Sequence, residues 1–441
     1  MRTRIRVLNL YMNEKLVGRL EKKSDGAICF RYVKEWLHLP GARPISLSLP
    51  LIEKEFSGDI VYNFFDNLLP DNSQIRARIQ ARFHTMTDQP FDLLASIGRD
   101  CIGAIQMLGD DLPDSIQKIL AQPLNNQEIA LSLRQVKFYP LGMSDDCDDF
   151  RISIAGAQEK SAFLFWNNQW SRPLGATPTT HIFKLPIGFI QHQQLDLSDS
   201  CENEWLCAQI AAAFDLPVAT CVIQKFEDEK VLIVERFDRR LAKNKQWMMR
   251  LPQEDVCQAL GVSPNLKYQV DGGPGIKEIM RLLLGSTTPS KDRDTFFRSQ
   301  VLFWLLAAID GHAKNFSIHL EAFGKYHLAP LYDIISAYPL IANKQLEAKK
   351  IKMAMALQGK NNHYHWYQLQ RRYFLQTAKA AHYPVEDAEK ILDDMLNQVD
   401  TVIHDVNKRL PNDFPAHISQ PIFDGMRSVK QKLVSNVDPN A

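Results

Sequence analysis

The sequence lacks the features that mark secreted and membrane-spanning proteins. Its seven cysteines in 441 residues never form a Cys-x-x-Cys pair, which argues against a disulfide framework or a zinc site and predicts reduced thiols in a cytoplasmic protein. The longest apolar run, Val301–Ile309, is too short to cross a bilayer, and the first residues lack the apolar stretch of a secretory signal. The formal net charge of +1 gives no overall attraction to nucleic acid or anionic lipid, so we expect no membrane partner.

Several common catalytic signatures are missing as well. The motifs GxSxG and HExxH do not occur, and the glycines of residues 271–277 (DGGPGIK) do not have the spacing of a phosphate-binding P-loop. The sequence HYH at residues 363–365 has no further metal ligand at a familiar spacing, so a surface role explains it better.

The pattern of apolar residues divides the chain into three parts. Residues 1–148 combine short strands with helices and end in a polar stretch, 110–148, that we interpret as a connector. Residues 149–260 are rich in strands, and residues 261–435 are mainly helical. The apolar residues of one long helix are predicted to continue to Ile309. The sequence therefore predicts an α+β fold.

The segment IDGHAKNFSIHL, residues 309–320, joins the end of this apolar helix to an alternating strand pattern. Asp310 and Asn315 have the D-x-x-x-x-N spacing of the protein-kinase catalytic loop, and Asp333 follows a predicted hairpin. Transfer of phosphate from ATP needs a carboxylate that orients the acceptor hydroxyl, together with an Asn and an Asp that hold magnesium. A helix stop at Asp310 with a turn at Asn315 would also explain the loop. The ordered second aspartate favours a catalytic loop.

Lys184 stands in the middle of an apolar strand pattern, where a lysine gains little unless it reaches a partner. It is our candidate for the lysine that holds the ATP phosphates, and the alternative is a gatekeeper lysine on an edge strand. We expect Glu204 to be its acidic partner, because Glu202 is assigned to a capping box with Asp199.

Two further segments suit a nucleotide. The small residues of 153–160 (SIAGAQEK) would let backbone N–H groups approach phosphates, although an ordinary hairpin explains this segment too. Glu235 and Phe237 end an apolar strand and would present the same edge of the chain to adenine, since alternate residues of a strand share a side. A plain core strand with an exposed basic end is the alternative.

Together these segments resemble the HipA family, the kinase toxins of bacterial toxin–antitoxin modules. The resemblance runs nearly end to end, with order and spacing preserved, in the segments NFFDNLLPD, FDLLASIGRD, DFRISIAGAQEK, TPTTHIFKLPIG, VERFDRR, LPQEDVCQ, DGGPGI, DGHAKNFS and YDIISAYP. It implies a core like that of protein and phosphoinositide kinases. Residues 1–148 would form a small α/β subdomain, residues 149–260 the ATP-binding lobe and residues 261–435 the helical catalytic lobe.

The resemblance also implies roles for individual residues. Asp310 would be the catalytic carboxylate, Asn315 and Asp333 the magnesium ligands, and Lys184 the phosphate lysine. The phosphate loop would comprise Ala155, Gly156, Ala157, Gln158, Glu159 and Lys160. The remaining nucleotide contacts would be Glu235, Arg236, Phe237, Gln253, His312, Ala313, Lys314 and Tyr332. Ser153 matches the autophosphorylated position, where a phosphate would put negative charge beside the ATP phosphates; a solvent-facing strand serine is the alternative.

The family resemblance implies ATP and Mg2+ as cofactors and three macromolecular partners. The substrate would be glutamyl-tRNA synthetase, whose phosphorylation on a serine blocks translation and causes growth arrest and persistence. A HipB-like helix-turn-helix antitoxin would bind the chain and, with it as corepressor, hold operator DNA. Lys379, near Arg371 and Arg372, is a candidate DNA contact, although a solvated helix face explains these residues as well. A catalytically silent corepressor and a transferase of AMP remain alternatives.

Overall fold

The computed structural model describes residues 6–108, 117–136, 138–143, 151–156 and 158–435. The chain divides into two compact units. The first unit comprises Met1–Leu185, Gln224–Asn265 and Ser317–Tyr326, and the second comprises Pro186–Ile223, Leu266–Phe316 and His327–Ala441. The predicted domain boundary at residue 148 lies outside the described residues and stays a prediction.

Strands and helices are both abundant, which confirms the α+β class. The strands are β1 Val7–Met12, β2 Lys15–Lys22, β3 Ile28–Tyr32, β4 Glu55–Ser57, β5 Ile105–Leu108, β6 Ala121–Pro123, β7 Lys160–Trp166, β8 Gln169–Pro173, β9 His181–Lys184, β10 Gly188–Ile190, β11 Leu195–Leu197, β12 Cys221–Phe226, β13 Glu229–Glu235, β14 Arg239–Leu241, β15 Met248–Arg250, β16 Gln253–Asp255, β17 Ser317–Leu320, β18 Tyr326–Leu328, β19 Lys352–Gln358 and β20 Asn362–His365. The α-helices are α1 Lys34–Leu37, α2 Asp59–Asp66, α3 Ser73–Phe83, α4 Pro90–Ile97, α5 Asn126–Gln135, α6 Ser200–Ala213, α7 Val256–Leu260, α8 Ile276–Leu283, α9 Pro289–Leu305, α10 Tyr338–Ala342, α11 Arg371–Ala380, α12 Val385–Arg409 and α13 Ala416–Ser435.

The first unit contains two larger sheets. The amino-terminal sheet has the strand order β4-β3-β2-β1-β5, and its apolar face joins α2, α3 and α4 in one core that includes the fully buried Phe30 and Phe65. Burial of such aromatic side chains contributes about 1.5–3 kcal/mol each. The second sheet has the order β12-β13-β9-β7-β8-β6, so β9 is an inner strand.

The polar stretch that we interpreted as a connector contributes to the core of this second sheet. Within it, β6 pairs with β8, and α5 buries Ile129 and Leu133 against Phe163 and Phe183. Asn125 caps α5 through a capping box with Glu128. Six of the ten residues of α5 are polar, which explains why composition alone suggested a linker.

The second unit is mainly helical. Its buried helix α9 ends at Leu305, four residues before the predicted end at Ile309, because Ala307 adopts a left-handed conformation with φ of 48°. The freed carbonyls find other donors: the N–H of Ala337 donates to Ala307 O at 3.0 Å, and that of Ala354 donates to Ile309 O at 2.9 Å. In the described part of the chain, none of the helices combines the length and hydropathy needed to cross a bilayer.

Candidate functional site

The loop that begins at Asp310 closes back on its own first residue. Asn315 Nδ2 donates to the backbone carbonyl of Asp310 at 2.8 Å, and the backbone N–H of His312 donates to the same oxygen at 2.8 Å. Ala313–Asn315 form one turn of 3-10 helix. The side chain of Asp310 is exposed, whereas Asn315 is buried. The five-residue spacing therefore produces a compact loop with a carboxylate at its surface.

Residues from two other parts of the second unit hold this loop. The Tyr332 hydroxyl donates to Lys314 O at 2.8 Å, and the backbone N–H of Ala313 donates to Lys267 O at 3.2 Å. The hydroxyl of Tyr268 donates to Asp310 Oδ1 at 2.6 Å. Sequence reasoning missed Tyr268, since it precedes Asp310 by 42 positions and its own segment matches no catalytic motif.

Asp333 has backbone geometry that is unusual for a residue with a side chain. Its φ is 60°, in the left-handed region that only Gly, Asn and Asp visit readily, and its side chain is half-buried. Such conformations are over-represented at functional sites. Among the described residues, no three His, Cys, Asp or Glu side chains cluster as a metal site. A cation held by Asn315 and Asp333 would therefore also need oxygen ligands from the bound nucleotide.

The chemistry of these two residues fits magnesium. Carboxylate and carboxamide oxygens are hard ligands of the type that Mg2+ prefers, and Mg2+ usually takes only one or two of them from a protein. The hydrogen bond from Asn315 Nδ2 to Asp310 O fixes the amide so that its oxygen points away from that carbonyl.

Lys184 lies on the inner strand β9, which excludes the edge-strand interpretation. It pairs with Leu232 of β13 on one side and with Lys160 of β7 on the other. Directly opposite residues of antiparallel strands share a face of the sheet, and like charges opposite each other are destabilising. Both lysines are buried, with 7% exposure each, on the same face of this sheet.

Glu204 was chosen as the acidic partner of Lys184 because a capping box was assigned to Asp199 and Glu202. The structure does not contain that capping box. Asp199 is the N-cap residue of α6 but makes no side-chain hydrogen bond to the helix backbone. Its Oδ2 lies instead 2.8 Å from His417 Nε2. Glu202 and Glu204 are both buried on α6, so the reason for preferring Glu204 is lost.

The predicted phosphate loop is braced at several points within the first unit. Lys160 Nζ donates to Ala155 O at 2.7 Å, and Gln158 Nε2 donates to Leu185 O at 2.5 Å. Gly156 has a φ of 110°, a conformation that side chains other than glycine rarely adopt, so glycine is favoured there. Glu159 forms an ion pair with Arg78. Ala157 lies outside the described residues.

Ser153 is fully buried, which contradicts the interpretation as a solvent-facing strand serine. Its hydroxyl donates to Leu68 O at 2.8 Å, and its backbone N–H donates to Asp100 O at 2.9 Å. Phosphorylation of Ser153 would therefore require residues 151–156 to leave this position.

Burial alternates over the last residue of β13 and the two residues that follow it. Glu235 is exposed and Phe237 is half-buried, with its ring edge-on to His319 at 5.4 Å. Arg236 faces the opposite way and is 4% exposed. Gln253 lies on β16, opposite His319, and its Oε1 is buried without a hydrogen-bond partner among the described residues. A buried amide oxygen of this kind suits a ligand that donates a hydrogen bond.

Arg236 belongs to a cluster of five buried charged residues in the first unit. The cluster consists of Asp100, Arg236, Asp238, Arg239 and Arg250, each less than 9% exposed. Arg236 Nη2 donates to Asp238 Oδ2 at 2.8 Å, Arg239 Nη2 donates to Asp100 Oδ1 at 2.8 Å, and Arg250 Nε donates to Asp100 Oδ1 at 3.0 Å. Burial opposes ionisation of Asp100, but the guanidiniums, led by Arg239, outweigh it and hold its pKa well below the usual range.

The charge cluster also holds the backbone beside the predicted nucleotide residues. The Gly103 N–H donates to Asp238 Oδ2 at 2.7 Å, and a Cβ at Gly103 would lie 2.7 Å from Gln253 O. Arg236 and Arg239 both donate to the carbonyl of Cys101. The loop 100–103 thus contacts both the segment after β13 and the start of β16, which sequence patterns did not indicate.

The candidate DNA contacts lie on α11 in the second unit. Lys379 and Arg372 are exposed. Arg371 is already paired with Asp393 at 2.6 Å and with Glu389 at 3.3 Å, so it is a poor candidate for a phosphate contact.

Comparisons with known proteins cover most of the chain. Residues 152–403 match the HipA-like C-terminal domain, and residues 8–108 match the HipA N-terminal domain. A putative kinase of Sinorhizobium fredii is 33% identical over 351 residues, which span 77% of this chain and 80% of that protein. The serine/threonine-protein kinase toxin HipA of Shewanella oneidensis is 27% identical over 343 residues, which span 75% of each chain.

A solved structure extends the likeness to the whole fold. The structure of Shewanella oneidensis HipA with HipB and its operator DNA matches with a TM-score of 0.81 over 97% of both chains, at 21% identity. At this identity the match establishes the fold, and it confirms the predicted kinase-like architecture. The two domain matches and the 33% identical relative establish more than the fold. The chain belongs to the HipA family of toxin kinases.

Proposed function

We propose that this chain is an active serine/threonine protein kinase that transfers the γ-phosphate of ATP to a protein hydroxyl. The observation that carries the proposal is the loop from Asp310 to Asn315, which holds an exposed carboxylate on a rigid, hydrogen-bonded turn. Positioning and electrostatic stabilisation account for most of the catalysis of phosphoryl transfer, so such a loop suits this reaction.

Each candidate residue has a separate task in the proposed reaction. Asp310 accepts a hydrogen bond from the acceptor hydroxyl and orients it toward the phosphorus atom. Lys160 and Lys184 supply positive charge to the phosphates from one face of the sheet. Asn315 and Asp333 would hold magnesium, which neutralises developing charge on the phosphate oxygens when it is bound.

The base of the nucleotide would meet a different set of residues. Glu235 and Phe237 offer backbone groups from the exposed edge that follows β13, while the buried Arg236 anchors that edge. Gln253 Oε1 is a buried acceptor that suits the amino group of adenine. His312, Ala313, Lys314 and Tyr332 would complete the contacts through the catalytic loop.

The test is transfer of label from γ-labelled ATP in the presence of magnesium, with Asp310→Asn as the matched control. We expect the wild-type chain to label protein, and the variant to bind ATP but to transfer little. Intact-mass analysis of the product separates a phosphate from an adenylate, so a product carrying AMP would favour the transferase alternative. A wild-type chain that binds ATP and modifies nothing would favour the silent corepressor.

The family resemblance supplies the proposed substrate, glutamyl-tRNA synthetase. Phosphorylation of a serine in that enzyme would block translation, and growth arrest and persistence would follow. The purified synthetase should be labelled by the wild-type chain and not by the Asp310→Asn variant. Absence of label on the synthetase, when another protein is labelled, would reject the substrate and leave the kinase activity standing.

We also propose a HipB-like antitoxin and operator DNA as partners, on the strength of the relative whose structure contains both. In the complex, Lys379→Ala should lower the slope of log affinity for operator DNA against log salt by about 0.9 if Lys379 contacts a phosphate. Lys390→Ala, at another exposed lysine on α12, is the control. An unchanged slope for Lys379→Ala would remove it from the interface.

A further inference from the structure

We propose that Tyr268 is a positioning residue that fixes the carboxylate of Asp310 for phosphate transfer. This inference rests on the proposed kinase function and adds a residue that no motif of the sequence assigns to it. The hydroxyl of Tyr268 donates to Asp310 Oδ1 at 2.6 Å, which is short for a hydrogen bond between oxygens and typical of one to a carboxylate.

An exposed carboxylate needs such a partner if it is to orient an acceptor. Asp310 is exposed, so packing against the core does not fix its side-chain torsions. A hydrogen bond to Oδ1 fixes them and presents Oδ2 to the acceptor hydroxyl. Small errors in the position of reacting groups reduce rates strongly, which makes this restraint valuable for catalysis.

Tyr268 is itself held firmly by its surroundings. Its ring packs edge-on against the ring of His312 at 5.0 Å, and Lys267 Nζ lies 5.6 Å from its centroid. Its backbone carbonyl accepts hydrogen bonds from the N–H groups of Asp271 and Gly273, at 3.1 Å and 3.0 Å. The hydroxyl therefore approaches Asp310 from a fixed direction.

The same contacts explain the glycines of the DGGPGI segment. A Cβ on Gly273 would lie 1.8 Å from Leu266 O and 2.9 Å from Tyr268 O, and a Cβ on Gly275 would lie 2.4 Å from the side chain of Gln269. Gln269 Oε1 accepts from the N–H of Ala356 at 2.7 Å, which fixes the next residue along the segment. These glycines let the DGGPGI segment pack closely against residues 266–269, which include Tyr268.

The experiment compares Tyr268→Phe with Tyr383→Phe. Tyr383 donates to Asp294 Oδ1 at 2.6 Å in the same unit, so the two changes remove the same kind of hydrogen bond, one at the proposed catalytic loop and one elsewhere. We expect Tyr268→Phe to lower kcat about ten-fold with KM for ATP unchanged. We expect Tyr383→Phe to lower the melting temperature and leave kcat unchanged. Rates are expressed per titrated ATP-binding site, so that partial unfolding does not imitate a catalytic loss.

A double variant tests whether Tyr268 acts through Asp310. Once Asp310→Asn has been made, adding Tyr268→Phe should reduce the residual rate no further, because coupled residues are not additive. An active wild type whose Tyr268→Phe variant is equally fast, or a variant that changes KM for ATP alone, would overturn this inference and leave the kinase function intact. A wild type that transfers nothing would overturn the proposed function, and this inference with it.

Discussion

At the scale of single residues, Glu254 is a buried carboxyl group with few compensating contacts. It is fully buried on β16, its Oε1 accepts from the N–H of Leu47 at 2.8 Å, and its Oε2 has no partner among the described residues. Burial raises the pKa of Glu254 to about 8, and the neighbouring charge of Asp255 adds to the shift. The folded chain therefore holds a proton near neutral pH that an unfolded chain, with a glutamate pKa of about 4.3, has released.

This difference predicts a pH dependence of stability. Between about pH 4.3 and 8 the folded state binds the extra proton, so the free energy of unfolding falls as pH rises, by up to about 1.4 kcal/mol per pH unit from this group. Glu254→Gln keeps the acceptor for Leu47 and cannot ionise, so its loss of stability over this range should be smaller. Urea unfolding at several pH values measures the difference, with Glu386→Gln on an exposed helix position as control. Parallel curves for wild type and Glu254→Gln would contradict the assignment.

The buried charge cluster predicts a second effect at this scale. Asp100→Asn leaves three guanidiniums facing the single carboxylate of Asp238, and removal of one partner from a buried pair typically costs about 3–5 kcal/mol. Adding Arg250→Met should restore part of the loss, because it removes one uncompensated charge. Denaturant unfolding gives both values, and Glu347→Gln, from an exposed ion pair with Lys350, should change stability little. If the double variant is less stable than Asp100→Asn alone, uncompensated charge is not the cause of the lost stability.

At the scale of elements, the segment 151–156 links the first unit's core to the proposed phosphate site. Ser153→Ala removes one buried hydrogen bond and should cost about 1 kcal/mol, with ATP affinity nearly unchanged. Ser153→Asp buries a charge beside the Leu68 carbonyl, so we expect this segment to be displaced and ATP affinity to fall at least ten-fold. Calorimetric titration with ATP and limited proteolysis measure both effects.

A matched control separates this effect from general damage to the core. Ser161 is also fully buried and donates to Leu141 O at 2.8 Å, so Ser161→Ala removes an equivalent hydrogen bond. Equal ATP affinity for wild type and Ser153→Asp would contradict the inhibition of ATP binding by phosphorylated Ser153 that the family resemblance implies.

Elements with strong periodicity could be predicted from the sequence. The residues at which these elements end, and the short helix α5, could not. The strand β13 and the helix-rich second unit follow directly from apolar patterns, and the D-x-x-x-x-N spacing located the candidate loop. The end of α9 was misplaced because the left-handed conformation of Ala307 has no sequence signal, alanine being the best helix former. Helix α5 was missed because most of its residues are polar.

Local sequence patterns were also insufficient to predict all the residues of the candidate site. Residues inside motifs, such as Lys184 and Asn315, could be chosen from the sequence. The contacts of Tyr268 with Asp310 in the second unit and of Asp100 with Arg250 in the first join segments that are distant in the sequence. Local patterns cannot show which tyrosine meets which carboxylate. Only the fold brings such pairs together.

At the scale of the whole molecule, ligand binding should stabilise the folded chain. ATP with magnesium at a hundred times its Kd should raise the free energy of unfolding by about 2.7 kcal/mol. Asp310→Asn should retain this gain, because it removes the acceptor-orienting group only. Asp333→Asn should lose the contribution of magnesium while folding normally, since asparagine tolerates the left-handed conformation found there.

Thermal denaturation with ATP alone, magnesium alone and both together measures these gains. A magnesium-dependent increase in Asp333→Asn equal to that of wild type would remove Asp333 from the metal site. A wild-type chain that ATP does not stabilise at all would contradict nucleotide binding itself.

The charge cluster of the first unit can form only after residue 250 has been synthesised. Arg250, a partner of Asp100, follows it by 150 residues in the sequence. At ordinary rates of synthesis the ribosome needs roughly 8–30 seconds to add these residues. The last segment of the unit, Ser317–Tyr326, leaves the ribosome later still. An amino-terminal fragment released early would carry Asp100 without its guanidinium partners. Incomplete translation products that end before residue 250 should therefore lack the finished first unit.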